Sequence, residues 1–193
     1  MDYLIYILTL FLLLASGSGK SSVKKKRGPT QKLTEQERFK IELIGEDGEP
    51  LFPKESRQRF ISQVGVVVRD NIDIRIREWH KQKDETISFV DNKTKQMLWD
   101  RLMVNFTLPE EDAEEQPEED PEENAIEKKV QEWTFKKIAD QFKNWKTRLV
   151  VLFVNKNKTP DFQGAYEKIK DQWADFVKYK TSEEAKKKSE KIR

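Results

Sequence analysis

Apolar side chains recur at helical spacing in the C-terminal half of the chain. Between Ala125 and Val154 they follow one another at steps of three to five residues, the period of a helix that buries one face. Pro160 lies in the polar segment that comes next, and it cannot donate to a helical ladder. The pattern therefore predicts one long helix over 125–154. Its apolar stripe consists of Val130, Trp133, Ile138, Phe142, Trp145, Leu149 and Leu152.

A second stripe begins after this break. Its members, at steps of four, three, four and three, are Phe162, Tyr166, Ile169, Trp173 and Phe176. This spacing predicts a further helix, and Asp161 is placed to cap its first turn. The charged tail that begins at Lys178 could extend this helix, but it has no apolar stripe to bury.

Two shorter helices are predicted earlier in the chain, over 54–70 and 91–106. The second opens with Asp91, a residue type that favours the N-cap position. The apolar face is Phe60, Val64, Val67 and Val68 in the first helix, and Leu98, Leu102 and Phe106 in the second.

Two other segments alternate between apolar and polar residues. Residues 72–76 do so ahead of Trp79, which predicts a brief strand or an extended segment. Residues 39–43 do so ahead of the turn-forming sequence GEDGEP, which predicts a short strand or an extended arm.

These elements together predict a mainly α fold, a small helical bundle with a Trp/Phe core. Large aromatic side chains on an apolar stripe favour core packing over base stacking. The four in question are Trp99, Trp133, Trp145 and Trp173. A three-helix unit with a tryptophan in each helix and basic residues on the last one is similar in plan to Myb-like and helix-turn-helix DNA readers, so such an arrangement is one expectation.

Charge is distributed unevenly along the 193 residues. Charged residues make up 37% of the chain and apolar residues only 36%, so part of it is expected to remain unpacked. Residues 109–123 contain ten acidic and no basic side chains, and a disordered acidic insert is predicted over 109–124. The net charge of +2 would become +12 without those ten negative charges. The remainder suits a polyanionic partner, DNA, although a solvated lysine-rich surface gives the same composition.

Basic residues off the apolar stripes are the candidate contacts to DNA phosphates, because phosphate contact needs cations rather than one strict geometry. These residues are Arg75, Arg77, Lys136, Lys137, Lys143, Lys146, Lys156, Lys158, Lys186, Lys187 and Lys188. A separate cluster, Lys24, Lys25, Lys26 and Arg27, is similar to a nuclear-import signal, or is a solvated basic run. The first interpretation places the protein in the nucleus.

Catalytic chemistry has little support in the sequence. The chain has no cysteine and one histidine, His80, which excludes Cys-based zinc sites and thiol catalysis. Glycine-rich phosphate loops are absent as well. No spacing relates the candidate carboxylates Asp70, Asp73, Asp100 and Asp171 to one another. We therefore predict no enzyme activity, no catalytic residue, no metal and no cofactor.

The N-terminus has the strongest hydrophobic signal. Leu4 to Ala15 is too short for a membrane span but suits the apolar region of a signal peptide or an anchor. Asp2 stands where such segments carry positive charge, so an extension fused to an intracellular protein is the alternative. The predicted organisation is this segment over 1–19, a basic and mostly disordered linker over 20–50, a helical domain over 51–179 and a basic tail over 180–193.

Several blocks of the chain, in one order, resemble a known family. They are RGPT at 27–30, FISQVGVVVRDNIDIRIREWHK at 60–81, LWDRLMVNFTLPE at 98–110 ahead of the acidic insert, and VQEWTFKKIADQFKNWKTRL at 130–149. The block KTPDFQGAYEKIKDQWADFVKYKTSEEAKKKSEK at 158–191 completes the series. From about Arg27 to Lys191 the chain resembles the plant Ptta/En/Spm transposase family, proteins of CACTA-type transposable elements.

The resemblance implies a DNA-associated, transposition-related role in the nucleus. It carries over no catalytic residue, and the apolar N-terminus departs from the family pattern. Two alternatives remain open at this point. One is a helical protein-interaction module that forms a homo-oligomer or joins a transposition complex. The other is a secreted or membrane-anchored protein directed by residues 1–19.

Overall fold

The computed structural model describes residues 32–109 and 125–190, and in the last helix it leaves the side chains of Lys186 and residues 188–190 undescribed. The mainly α class is confirmed. The helices are α1 (Lys54–Asn71), α2 (Asn92–Met103), α3 (Ala125–Leu152), α4 (Trp173–Lys180) and α5 (Glu183–Glu190), with 3₁₀ turns at Val154–Lys156 and Gly164–Gln172. The strands are β1 (Phe39–Lys40), β2 (Leu43–Ile44), β3 (Pro50–Phe52) and β4 (Phe106–Thr107). Across these two ranges, no helix is both long and apolar enough to cross a bilayer.

Helix α1 follows the predicted pattern. The predicted apolar face of α1 is buried throughout, and Phe60 is fully inaccessible. Gly65 lies inside the helix, where a Cβ atom would come within 3.4 Å of the Arg69 side chain and 3.8 Å of Gln141. A residue that weakens the helix in isolation therefore lies where α1 passes close to α3.

Helix α2 starts as predicted and ends early. The Asp91 carboxylate accepts a hydrogen bond from the Thr94 backbone N–H at 2.7 Å, so Asp91 is the N-cap. The helix stops at Met103, and the prediction that it reaches Phe106 is wrong. Phe106 instead pairs with Phe39 in the parallel β1–β4 ladder, and its ring centre lies 4.9 Å from that of Phe60. It stays in the core, as a strand residue.

The region before α1 is folded to a greater extent than predicted. Leu33 and Ile41 are buried, although the linker prediction covered both. The Asn105 side chain donates to the Thr34 and Glu37 carbonyls, and β2 and β3 pair antiparallel. Residues 33–50 are therefore ordered, and β1 and β2 lie at the ends of the strand predicted over 39–43. Thr34, Phe39 and Ile41 bond to partners more than 65 positions away, whereas Leu43 pairs locally with Phe52. Residues 1–31 and 110–124, which include the apolar segment, the KKKR cluster and nearly all of the acidic insert, lie outside the described ranges.

The connection between α1 and α2 is mostly irregular. Residues 72–78 form an extended turn with an isolated bridge between Glu78 and Phe89. Ile72 and Ile74 are buried within it. A helix-turn-helix motif joins its helices by a turn of about three or four residues. The connection between α1 and α2 spans residues 72–91 and is longer than such a turn. The Myb-like or helix-turn-helix arrangement of the bundle therefore stays a prediction.

Helix α3 runs through two hydrophobic clusters. The first cluster consists of Leu33, Ile41, Phe60, Val64, Val67, Val68, Ile72, Val90, Leu98, Trp99, Leu102, Phe106, Val130, Trp133, Ile138 and Phe142. The second cluster consists of Ile74, Trp145, Leu149, Ile169, Trp173 and Phe176. The N-terminal part of α3 belongs to the first and its C-terminal part to the second, so this helix joins the two packing units.

The C-terminal stripe forms two kinds of helix. Gly164–Gln172 is 3₁₀ and only Trp173–Lys180 is α-helical. Asp161 accepts from the Gln163 N–H and does not cap the helix. Steps of three and four residues fit both helix types, so the sequence pattern does not separate them. The tail does not continue α4, because Thr181 and Ser182 hydroxyls bond back to the Val177 and Tyr179 carbonyls and α5 starts anew.

Candidate nucleic-acid interface

A row of exposed lysines follows one side of α3. Lys129, Lys136 and Lys143 are spaced by seven residues, about 10.5 Å along the axis, so they lie nearly in line. In the part of the chain that the structure describes, no ion pair involves any of the three. Glu132 and Asp140 lie between them on the same helix. We call these three residues the lysine row; Lys129 was absent from the sequence-based set, although its spacing from Lys136 could have revealed it.

Three other predicted contacts are exposed near the lysine row or the end of α3. The Lys137 ammonium lies 5.0 Å from the centre of the Trp133 ring. Lys156 and Lys158 flank Asn157, whose left-handed backbone turns the chain after α3. Their ammonium groups are accessible to a phosphate, as the prediction requires.

Arg75 is held by carboxylates. Its guanidinium lies 2.6 Å from Asp73 and 3.4 Å from Asp175. Burial raises the pKa of Asp73, but hydrogen bonds from the Arg75 side chain and backbone, together with its charge, outweigh burial and leave that pKa below its ordinary value. The side-chain hydrogen bond to Asp73 and the charge of Asp73 raise the pKa of Arg75, and Asp175 contributes in the same direction. A phosphate would have to compete with two carboxylates for this guanidinium.

Arg77 is engaged in a similar way. Its Nη1 lies 3.1 Å from a Glu184 carboxylate oxygen, and its guanidinium lies 4.2 Å from the centre of the Tyr179 ring. Arg75 and Arg77 therefore connect the turn 72–78 to α4 and α5.

Lys146 is buried, and its prediction as a phosphate contact is corrected. Its side chain is 8% exposed, and its ammonium donates to the Ile76 carbonyl at 2.9 Å and the Arg77 carbonyl at 3.0 Å. It also lies 3.8 Å from the Phe142 ring centre. The stripe on α3 could not indicate this role, because the turn 72–78 covers the flank of the helix on which Lys146 lies.

The remaining predicted cations are only partly described. Lys187 is exposed on α5. The side chains of Lys186 and Lys188 are not described, and Lys24, Lys25, Lys26 and Arg27 lie outside the described ranges. The described C-terminal segment as a whole is positive: residues 125–190 contain 16 Lys and Arg against 10 Asp and Glu, a net charge of +6.

The tryptophans predicted as core are buried. Trp99, Trp133, Trp145 and Trp173 are 3–7% exposed, so their faces are not available to a base. The fifth, Trp79, is half-buried beside α3. Its ring centre lies 6.5 Å from that of Phe135, and Lys95 lies 5.2 Å from it. Trp79 and Phe135 line an open groove of about 440 Å³ together with His80, Glu132, Lys136, Ala139 and Asp140.

The carboxylates considered for catalysis do not form a metal centre. Within residues 32–109 and 125–190 no group of three or more potential ligands is close enough to hold a metal ion. Asp70 pairs with Lys32 at 3.6 Å and Lys168 at 3.9 Å, and Asp73 pairs with Arg75. Asp100 and Asp171 are exposed, as their helix positions predicted.

Comparison with known proteins identified no relative of this chain. No protein-family model, curated protein or solved structure matches the chain. The likeness to the Ptta/En/Spm transposase family therefore stays a prediction from the sequence blocks.

Proposed function

We propose that the chain is a non-catalytic DNA-binding protein whose contact surface is the exposed cationic side of α3 and the turn that follows it. The lysine row carries this proposal. Its three ammonium groups are exposed and have no carboxylate partner among the described residues, and the helix holds them in line. Cations in that arrangement release the counterions of a phosphate backbone on binding.

The distribution of charge supports the same proposal. Residues 32–109 contain 14 Lys and Arg and 14 Asp and Glu, so they are neutral, whereas residues 125–190 have a net charge of +6. A polyanion is attracted to one part of the molecule rather than to its whole surface. Lys137, Lys156 and Lys158 would extend the contact from the lysine row.

The wider part of the proposal is a role associated with a Ptta/En/Spm-type transposable element in the nucleus. The ordered sequence blocks from Arg27 to Lys191 and the KKKR cluster at 24–27 support it. DNA would then be the partner in transposition, with catalysis supplied by another protein.

The test is fluorescence anisotropy of labelled duplex DNA with the full chain between about 50 and 200 mM salt. The double variant Lys136→Gln/Lys143→Gln should lower the slope of log K against log salt by about 1.8, because each lost phosphate contact removes about 0.9. Lys40→Gln/Lys54→Gln is the matched control, since it makes the same charge change on exposed residues of the neutral part. The proposal would be contradicted if the two double variants had equal slopes of log K against log salt, or if the chain did not bind DNA at low salt.

A second candidate is a protein-interaction or oligomerisation module. Leu43 and Phe52 are directly opposite in the β2–β3 ladder, and each is 53% exposed. An apolar cross-strand pair on a two-stranded ribbon favours a protein partner over water. Light scattering with and without DNA separates the two candidates. An oligomer that forms without DNA and that the double variant Leu43→Ser/Phe52→Ser dissociates would support the interaction module. A monomer at all concentrations would contradict self-association.

A further inference from the structure

Arg69 occupies an unusual position between α1 and α3. The residue is half-buried, and its guanidinium carbon lies 6.0 Å from the centre of the Trp145 ring. The guanidinium lies over Gly65, where a Cβ atom would be 3.4 Å from Arg69 Nη1, an ordinary contact distance. Tyr166 stacks on the other partner, Trp145, with ring centres 5.6 Å apart and planes at 13°. We call this group, together with Arg148, the Arg69 notch.

The electrostatics of the notch are unfavourable to the cation in it. Burial lowers the pKa of Arg69; the charge of Asp70 opposes this, and the charge of Arg148 lowers the pKa further. The Asp70 carboxylate is already within 3.6 Å of Lys32 and 3.9 Å of Lys168. In the described chain no hydrogen bond or ion pair joins Arg69 or Arg148 to a carboxylate.

Trp145 adds a third donor to this group of residues. The Trp145 indole N–H is buried and has no acceptor among the described residues. Arg69 lies against the Trp145 ring, and Arg148 follows Trp145 by three positions on α3, so the three donors lie on one side of this helix. A buried donor without a partner costs free energy, so an acceptor that reaches the Trp145 N–H would be stabilised.

The notch is continuous with the proposed interface. Lys137, Gln141, Asn144 and Arg148 follow one another at steps of four, three and four, so they share one side of α3. Lys137, Asn144 and Arg148 are exposed and Gln141 is half-buried. A strand of nucleic acid along α3 could therefore reach from Lys137 to the notch.

We propose that Arg69 and Arg148 together bind one phosphate group of the DNA backbone. This inference rests on the proposed function. A guanidinium presents two parallel N–H donors that match two phosphate oxygens, whereas an ammonium acts as a point charge. The notch would hold a phosphate in a defined orientation, and the lysine row would contribute attraction without orientation.

The experiment compares Arg148→Gln, Arg148→Lys and the control Arg101→Gln in the same anisotropy assay with the full chain. Arg148 and Arg101 are both exposed, so none of the variants disturbs the core. Arg148→Gln should weaken DNA binding by about tenfold at low salt and reduce the salt slope by about 0.9. Arg148→Lys should keep the slope but lose affinity, because it keeps the charge and loses the bidentate donors. Arg101→Gln should change neither quantity.

A second readout reports on the notch directly. The Trp145 indole resonance in a ¹⁵N–¹H spectrum, assigned by its loss in Trp145→Phe, should shift on addition of duplex DNA in the wild type and not in Arg148→Gln. If the wild type binds DNA and Arg148→Gln matches it in affinity and slope, this inference is overturned while the proposed function stands.

The same Trp145 resonance is also measured with inorganic phosphate in place of DNA, at constant ionic strength. If DNA does not bind but phosphate shifts the Trp145 resonance in the wild type and not in Arg148→Gln, the proposed function fails and the notch is a site for free phosphate. If neither ligand shifts the resonance, the phosphate site itself is overturned.

Discussion

The first and second clusters differ in how they are built and in the charge around them. The first joins strands, α1, α2 and part of α3, and residues 32–109 that surround it are neutral. The second is a smaller set rich in aromatic rings, formed by α3, the 3₁₀ turn and α4 of the segment with a net charge of +6, together with Ile74 from the turn 72–78. The comparison teaches that core packing and net charge are divided: one region supplies the larger core, and the other supplies the net positive charge.

The largest expected effect comes from truncation at the centre of the first cluster. Phe60→Ala removes a ring that is fully buried and lies 4.9 Å from the Phe106 ring. We expect the free energy of unfolding to fall by about 3–5 kcal/mol, measured by urea denaturation. Because α3 belongs to both clusters, loss of the larger first cluster should also unfold the second. A fall of less than about 1 kcal/mol would contradict a central packing role for Phe60.

Truncation in the second cluster should have a smaller and more local effect. Trp173→Ala removes a ring that is 7% exposed and packs against Phe153 and Phe176. A loss of about 3 kcal/mol is expected, at the low end for such changes. Hydrogen exchange should show faster exchange of amides in 164–180 while α1 keeps its protection. Equal loss of protection in α1 would contradict the division into two packing units.

The next prediction concerns Lys146, which joins α3 to the turn 72–78. Lys146→Met keeps the apolar stem and removes the donor to the Ile76 and Arg77 carbonyls. It should cost about 1–3 kcal/mol, because two acceptors lose their partner. Lys143→Met, on the exposed side of the same helix, is the control and should change stability by less than about 0.5 kcal/mol. Similar losses for the two variants would show that burial of Lys146 has no energetic consequence.

Acid should lower the stability of both regions gradually, and we expect this to be the smallest of the predicted effects. Hydrogen bonds from the Thr94 side chain and backbone lower the pKa of Asp91, and the pKa of Asp73 is also lowered, in both cases from an ordinary value of 3.8. A carboxyl group with a lowered native pKa contributes stability that is present above its unfolded pKa and is lost as pH falls through the native value.

The melting temperature should therefore decline as pH falls below about 4. Asp91→Asn keeps an acceptor at the N-cap of α2 but does not titrate there, so its melting temperature should decline less steeply than that of the wild type. A steeper decline in the variant would contradict the assigned sign.

The sequence pattern predicted those elements that depend on local periodicity. Helix α1, the Asp91 cap and the long helix α3 agree closely with their predicted positions, because one-sided burial leaves a period in the chain. Phe106 was misplaced because a phenylalanine on a helix face and one in a short strand look alike from neighbouring residues. The sequence did not predict that Leu33 and Ile41 are buried, because the residues that cover them come from distant segments.

The amino-acid sequence by itself determined the helical class, the aromatic core and the concentration of positive charge after residue 125. Only the tertiary structure decided which of those charges are accessible. It buried Lys146 under the turn 72–78 and brought Arg69 against the Trp145 ring. It also paired Arg75 and Arg77 with carboxylates on the same turn and on α4 and α5. The physical reason is that a charge is available to a partner only when no nearby group already neutralises or covers it, and those nearby groups come from segments far apart in the chain.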